Sequence, residues 1–214
     1  MKRLTVLTIF FLSITLGYSQ NSDGAKKLLD EVSATMSNYE NVSIKFDYIL
    51  ENKEADVNQK NNGAVTLEGD KYLVNIFGTT QIYDGSKTYT IIPENEEVNI
   101  SDYDAEDENT ITPSKFYSFY KSGYTYSLAD KKNINGKDIQ FVKLIPIDSN
   151  SEISIVLLGI DTKSKHIYKL TEIGKNNTQT TILVKSFIVN QDLKNDLFTF
   201  DSKKYEDLGY FINN

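Results

Sequence analysis

The 214-residue chain carries 23 basic and 30 acidic side chains, a formal charge of −7, which argues against nucleic acid or an anionic membrane surface as a partner. It has no cysteine, and its single arginine is Arg3. Disulfides, thiol chemistry and Cys-based metal sites are therefore absent, as are guanidinium clamps beyond that position. Hydrophobic residues make up 39% of the chain, enough for a sizeable core, and its aromatics are 14 Tyr and 11 Phe without Trp.

Met1–Ser19 has the form of a secretory signal peptide. Lys2 and Arg3 give the positive start, Leu4–Leu16 the apolar run, and Gly17 and Ser19 the small residues before a cut near Ser19/Gln20. The run of ~13 residues is too short for a span of ~20. No Cys stands at the cut, so the mature chain is expected to be exported without a lipid anchor, with its charge moved from −7 to −9 by the loss of Lys2 and Arg3. Residues 20–214 are expected to form one domain.

Asn21-Ser22-Asp23 reads as a helix cap, and Ala25, Leu28, Leu29, Val32 and Met36 follow at helical spacing to near Asn38. Val42, Ile44, Phe46, Tyr48 and Leu50 then alternate with polar residues as a strand. The polar stretch Asn52–Asn62 reads as a mobile turn.

From Gly63 to Ile100, short runs rich in Val, Ile, Tyr, Phe and Thr are cut by turn residues. Tyr72, Val74 and Ile76 alternate with Leu73, Asn75 and Phe77, so both faces are largely apolar. Gly85 suits a tight hairpin at Tyr83–Ser86, the strand Lys87–Ile92 leaves it, and Pro93-Glu94-Asn95 makes the next turn. Strands of this kind suit a curved sheet with something to cover on both sides, or a concave face that holds an apolar guest. Ser101–Thr110 is strongly acidic but lacks the Gly and Glu of a calcium loop, so a solvated loop is expected.

Thr112-Pro113 reads as an N-cap with Pro at the first helical position. Phe116, Tyr117, Phe119 and Tyr120 crowd a short helix that Gly123 stops. It is either a core plug or a cover over an apolar space. Strands resume at Tyr124–Leu128, Ile139–Ile145, Ile153–Ile160, Ile167–Ile173 and Thr180–Val189, and Asp192–Phe200 reads as a turn and a short closing strand.

Little here serves a catalyst. His166 is the only histidine, and it lies in the polar turn Lys163-Ser164-Lys165-His166, where a solvated ring is expected. No nucleophile elbow, phosphate loop, dinucleotide fingerprint or zinc-protease motif occurs. The expectation is a non-enzymatic protein without metal or cofactor.

Several weak motifs fall in a familiar order: LLDEVSATMSNYENVSIKFDYIL from Leu28 to Leu50, the Gly63–Tyr72 strand pair, IYDGSKTYTIIP from Ile82 to Pro93, ITPSKFY from Ile111 to Tyr117, FIVN at Phe187–Asn190 and LFTFD at Leu197–Asp201. In this order the chain resembles the periplasmic outer-membrane lipoprotein carrier family, LolA-like. The resemblance implies a mainly β fold, an incomplete and strongly curved antiparallel barrel whose apolar cavity lies under a helical lid. It implies a monomer that binds the acyl chains of lipoproteins in the periplasm. An inner-membrane lipoprotein-releasing transporter and an outer-membrane acceptor would be its partners. By position, the lid includes Leu28, Val32, Met36 and the helix holding Phe116, Tyr117, Phe119 and Tyr120. The wall includes Phe46, Tyr48, Val65, Leu67, Tyr72, Val74, Ile76, Tyr89 and Ile91. The chain departs from the family where an early wall strand keeps a lid-latching arginine: that region reads Leu67-Glu68-Gly69-Asp70-Lys71, which makes Lys71 the candidate latch. Tyr and Phe replace the family's Trp-rich lining. Three readings compete with the lipoprotein carrier: a carrier of another amphiphile, a filled envelope scaffold, and an exported hydrolase with a carboxylate site.

Overall fold

A computed structural model describes residues 22–102, 113 and 117–213. The signal-like segment, the acidic run from Tyr103 to Thr110, the Thr112 cap and Phe116 lie outside these residues.

Helix α1 spans Asp23–Ser37. Ser22 caps it, its Oγ accepting a hydrogen bond from the Ala25 N–H at 3.2 Å. The helix buries Ala25, Leu28, Leu29, Val32 and Met36, the stripe read from its spacing. Among the described residues twelve strands follow in one sheet: β1 Asn41–Asn52, β2 Val57–Glu68, β3 Lys71–Ile76, β4 Thr79–Tyr83, β5 Lys87–Ile92, β6 Glu97–Asp102, β7 Tyr124–Ile134, β8 Lys137–Pro146, β9 Ile153–Asp161, β10 Ile167–Gly174, β11 Gln179–Val189 and β12 Phe211–Asn213. A second helix, α2, covers Ser202–Asp207.

The spatial order is β12-β6-β5-β4-β3-β2-β1-β11-β10-β9-β8-β7. Each neighbouring pair is antiparallel except the short β12–β6 pair, and the two ends do not meet, so the sheet is a curved half-barrel. Strand β1 sits at its centre, held by β2 on one side and β11 on the other. A register shift opposite Lys45/Phe46 leaves Lys185 as an extra residue on β11, a β-bulge that sharpens the local twist.

Alternation sorts the apolar residues into two layers. On the inner face, Val42, Tyr126, Val142, Leu144, Val156, Leu158, Ile160 and Leu170 pack with the buried stripe of α1. On the outer face of β3–β6, Leu73, Ile82, Tyr89, Ile91, Val98 and Ile100 pack against Leu193, Leu197, Phe198, Phe200, Tyr205, Tyr210 and Ile212 from the C-terminal segment. The inner face of β1 and β7–β10 is thus covered by a helix from the start of the chain, and the outer face of β3–β6 by its end.

Three expectations are corrected. Asn52–Asn62 is not a long turn: β1 and β2 continue as polar hairpin arms to a four-residue tip at Lys53–Asp56. Asn52 Oδ1 accepts the N–H groups of Glu54 and Ala55 at 3.0 Å, closing that tip. Asp192–Phe200 forms turns, and the closing strand is β12, further on. In the aromatic segment the described helical part is a 3-10 turn at Phe119–Lys121, with Gly123 in the left-handed region (φ 78°).

Candidate functional site

A cavity of about 210 Å3 lies between the inner face and the aromatic segment. Its lining is Met36, Ile44, Phe46, Val65, Leu67, Val74, Pro113, Tyr117, Ile167, Ile182, Val184 and Phe187. None of these side chains is charged. The ladder explains the grouping. Ile44 is paired with Val65 and Phe187, Phe46 with Gly63 and Val184, and Val65 with Val74, so these residues rise on one face of β1, β2, β3 and β11.

Six of the residues expected at the site line this space: Met36, Phe46, Val65, Leu67, Val74 and Tyr117. Others stand elsewhere. Leu28 and Val32 are buried in the core beneath α1, so only the last turn of that helix reaches the cavity. Tyr72 packs with Leu67 and Tyr83 beside the lining. Tyr48 shares the inner face two residues beyond Phe46, where the ring of Phe77 meets it edge-on at 5.0 Å. Ile76, half-buried, ends β3. Tyr89 and Ile91 fall on the opposite face: Tyr89 pairs with Ile82, which pairs with Leu73, and all join the outer cluster. Phe119 packs edge-on against Tyr124, and Tyr120 is 3% exposed, in the core rather than in the lining.

Sequence reading missed Ile44, Ile167, Ile182, Val184 and Phe187 as wall residues, and Pro113 beside them. The signal was there for β11, whose TTILVKSFIV run is apolar on both faces. Only the β1–β11 pairing, which joins segments about 140 residues apart, brings it to the cavity.

The cover is fixed at one end. Tyr120 Oη donates to Asp30 Oδ1 at 2.9 Å, and Lys26 Nζ lies 2.6 Å from Asp30 Oδ2. Those bonds, Lys26 first, hold the Asp30 carboxyl below its ordinary range, while burial pushes the Tyr120 phenol well above its own. Lys71 does not act as a latch on α1. It lies exposed at the β2–β3 turn with its stem beside Gly85. Among the described residues, the ion pair from sheet to helix is Lys165–Glu31 at 2.6 Å, from the β9–β10 turn, and it holds Glu31 low.

His166 ends that same turn, and it is not a solvated tip. Its ring stacks on Phe187 at 3.9 Å between centroids, and its Nε2 lies 2.8 Å from the Tyr39 hydroxyl. Burial lowers its pKa. The ring therefore backs a cavity wall and ties it to Tyr39, two residues after α1. No group of three acidic or histidine side chains able to hold a metal occurs among the described residues, and no helix there is long and apolar enough to cross a membrane.

Residues 15–179 match the family described as Outer membrane lipoprotein carrier protein LolA. No protein of curated function matches the chain in sequence. Among solved structures, an uncharacterized conserved protein from Thermus thermophilus is similar with a TM-score of 0.55 at 9% identity, over 85% of this chain and 96% of that one. LprF from Mycobacterium bovis is similar at a TM-score of 0.48 and 11% identity, over 82% and 98%. A LolA superfamily protein from Nitrosomonas europaea is similar at 0.42 and 12%, over 82% and 97%. At these identities the Thermus likeness speaks for the fold alone. The match spanning most of the sequence, and the half-barrel found, show that this chain belongs to the LolA family of outer membrane lipoprotein carrier proteins.

Proposed function

We propose that this protein carries the acyl chains of lipoproteins through the periplasm, from a releasing transporter in the inner membrane to an acceptor in the outer membrane. Segment 1–19 would serve as its export signal. The observation that carries the reading is the cavity, with twelve lining residues and no charge among them. An acyl chain leaving water gains roughly 0.8 kcal/mol per buried methylene. A protein cavity that only matches the hydrocarbon of a bilayer holds such a chain near break-even with the membrane, as a carrier that must release its load requires.

The test is a photo-crosslinking residue at Tyr117 or Val74, in cells. Acylated protein adducts are the expected product; adducts with unlipidated proteins alone would refute the proposal. A carrier of another amphiphile is the second reading. It is favoured by the lack of any arginine beyond Arg3, since the family's arginine latch has no counterpart on β2 or β3. Mass spectrometry of ligand extracted from the purified protein separates the two.

A further inference from the structure

Residues two apart on β10 share a face. Leu170 pairs with Leu158 on one side and Ile182 on the other, and Ile182 lines the cavity. Glu172, next on that face, pairs with Val156 and Thr180. An acid thus stands on the inner face one step beyond a cavity-lining isoleucine. It is half-buried, and among the described residues it takes no ion pair and no hydrogen bond. Burial raises its pKa, and its charge adds to the effect of burial in raising that of Tyr124 on β7.

Stability gives no reason for this acid. An apolar side chain there would match Val156 and Leu170, whereas an unpaired carboxylate out of water is costly. A cation brought beside it relieves that cost, and the neighbouring cavity is the place from which one can come. We infer that Glu172 is a headgroup subsite: it pairs with an ammonium group on the amphiphile whose chain fills the cavity. The inference rests on the reading that the cavity takes such a chain. An anionic headgroup would be repelled here, and a hydroxyl would gain one hydrogen bond. An ammonium gains that bond together with charge attraction in weakly screening surroundings.

The test uses the purified mature protein and displacement of N-phenylnaphthylamine, a neutral apolar fluorophore, by dodecylamine or dodecanol below their micellar concentrations. In the wild type the amine is expected to compete roughly ten-fold better than the alcohol. Glu172→Gln should erase that preference and leave the alcohol's affinity unchanged. Thr180→Lys, which sets a cation opposite Glu172, should erase it by a second route. Equal competition by both compounds in the wild type, or a preference that survives Glu172→Gln, overturns the inference and leaves the chain-carrying reading intact. Failure of the fluorophore and both competitors to bind overturns both.

Discussion

Replacing Gly63 by alanine places a methyl group where the ring of Phe46 lies. The two residues face each other across the β1–β2 ladder, and a Cβ built on Gly63 would stand 2.3 Å from Phe46 Cζ and 2.4 Å from Cε2. Ordinary carbon contacts are roughly 3.5–4.0 Å, so the ring must move by more than ~1 Å. Phe46 lines the cavity, and on that side the ring has room to move into. Overpacking of this kind costs about 1–3 kcal/mol, and the low end applies because empty space takes up the displaced ring. Against it stands a gain of about 0.4–1 kcal/mol from a stiffer unfolded chain. The two nearly cancel, so Gly63→Ala is expected to change unfolding free energy in denaturant by less than about 1 kcal/mol.

Binding should not escape so lightly. A ring that occupies the space of two ligand methylenes removes about 1.6 kcal/mol of transfer energy, or roughly fifteen-fold in Kd. An acyl fluorophore titration reads that loss. Adding Phe46→Leu to Gly63→Ala should restore most of the affinity, with a coupling of at least about 0.5 kcal/mol. Unchanged affinity in Gly63→Ala, or no recovery in the double variant, would refute the assignment of Phe46 as a wall whose position Gly63 permits.

Tyr120→Phe removes the hydrogen bond to Asp30 at a buried position, and a loss of about 1.5–3 kcal/mol in denaturant unfolding is expected for a bond to a charged acceptor. His166 is held neutral by burial, its folded pKa lying below its unfolded value near 6.5. Its contribution is therefore complete above about pH 6.5 and is lost as pH falls through the lower folded value, because the unfolded chain then binds the extra proton. Denaturation midpoints at successive pH values should show this acid slope in the wild type and a shallower one in His166→Asn. Phe77 sits in the β3–β4 turn at φ 54° and is 55% exposed, a conformation that Asn adopts more readily than a bulky ring. Phe77→Asn should raise the thermal midpoint despite losing the edge contact with Tyr48, and a lower midpoint would show that contact to outweigh the backbone strain.

Alternation made the strands legible, but not which of two apolar faces turns inward. In β3, Tyr72 and Leu73 are equally good candidates for the wall. Only the rung Leu73–Ile82–Tyr89 and the C-terminal segment packed over it show that Tyr89 belongs outside. That cover is made by residues 193–212, far along the chain from β5, and periodicity carries no information about such distant contacts. The polar arms of the β1–β2 hairpin failed for the opposite reason. Their stability comes from cross-strand bonding and from Asp47, 9% exposed at its side chain, which pairs with Lys60 at 2.9 Å and with Lys185 of β11 at 3.7 Å, rather than from an apolar pattern. His166 was misread because three polar neighbours dominate its window, while its partner Phe187 arrives from β11.

Core and cover divide the work of admitting a guest. A cavity of about 210 Å3 is smaller than the ~300–1,000 Å3 typical of sites for drug-sized ligands, so a full acyl chain requires one wall to yield. Lifting α1 would expose Leu28, Leu29, Val32 and Met36, each 8% exposed or less. At about 1.5–3 kcal/mol for each side chain, that approaches the whole stability of an ordinary domain. It would also break the Lys165–Glu31 pair and the Tyr39–His166 contact. Tyr117 is only half-buried, and no hydrogen bond or ion pair holds it among the described residues. Three residues on, Tyr120 stays fixed to Asp30. The cheaper displacement is on the Tyr117 side, with Tyr120 as the point that does not move. Of the two segments that cover the inner face, α1 is the one held in place.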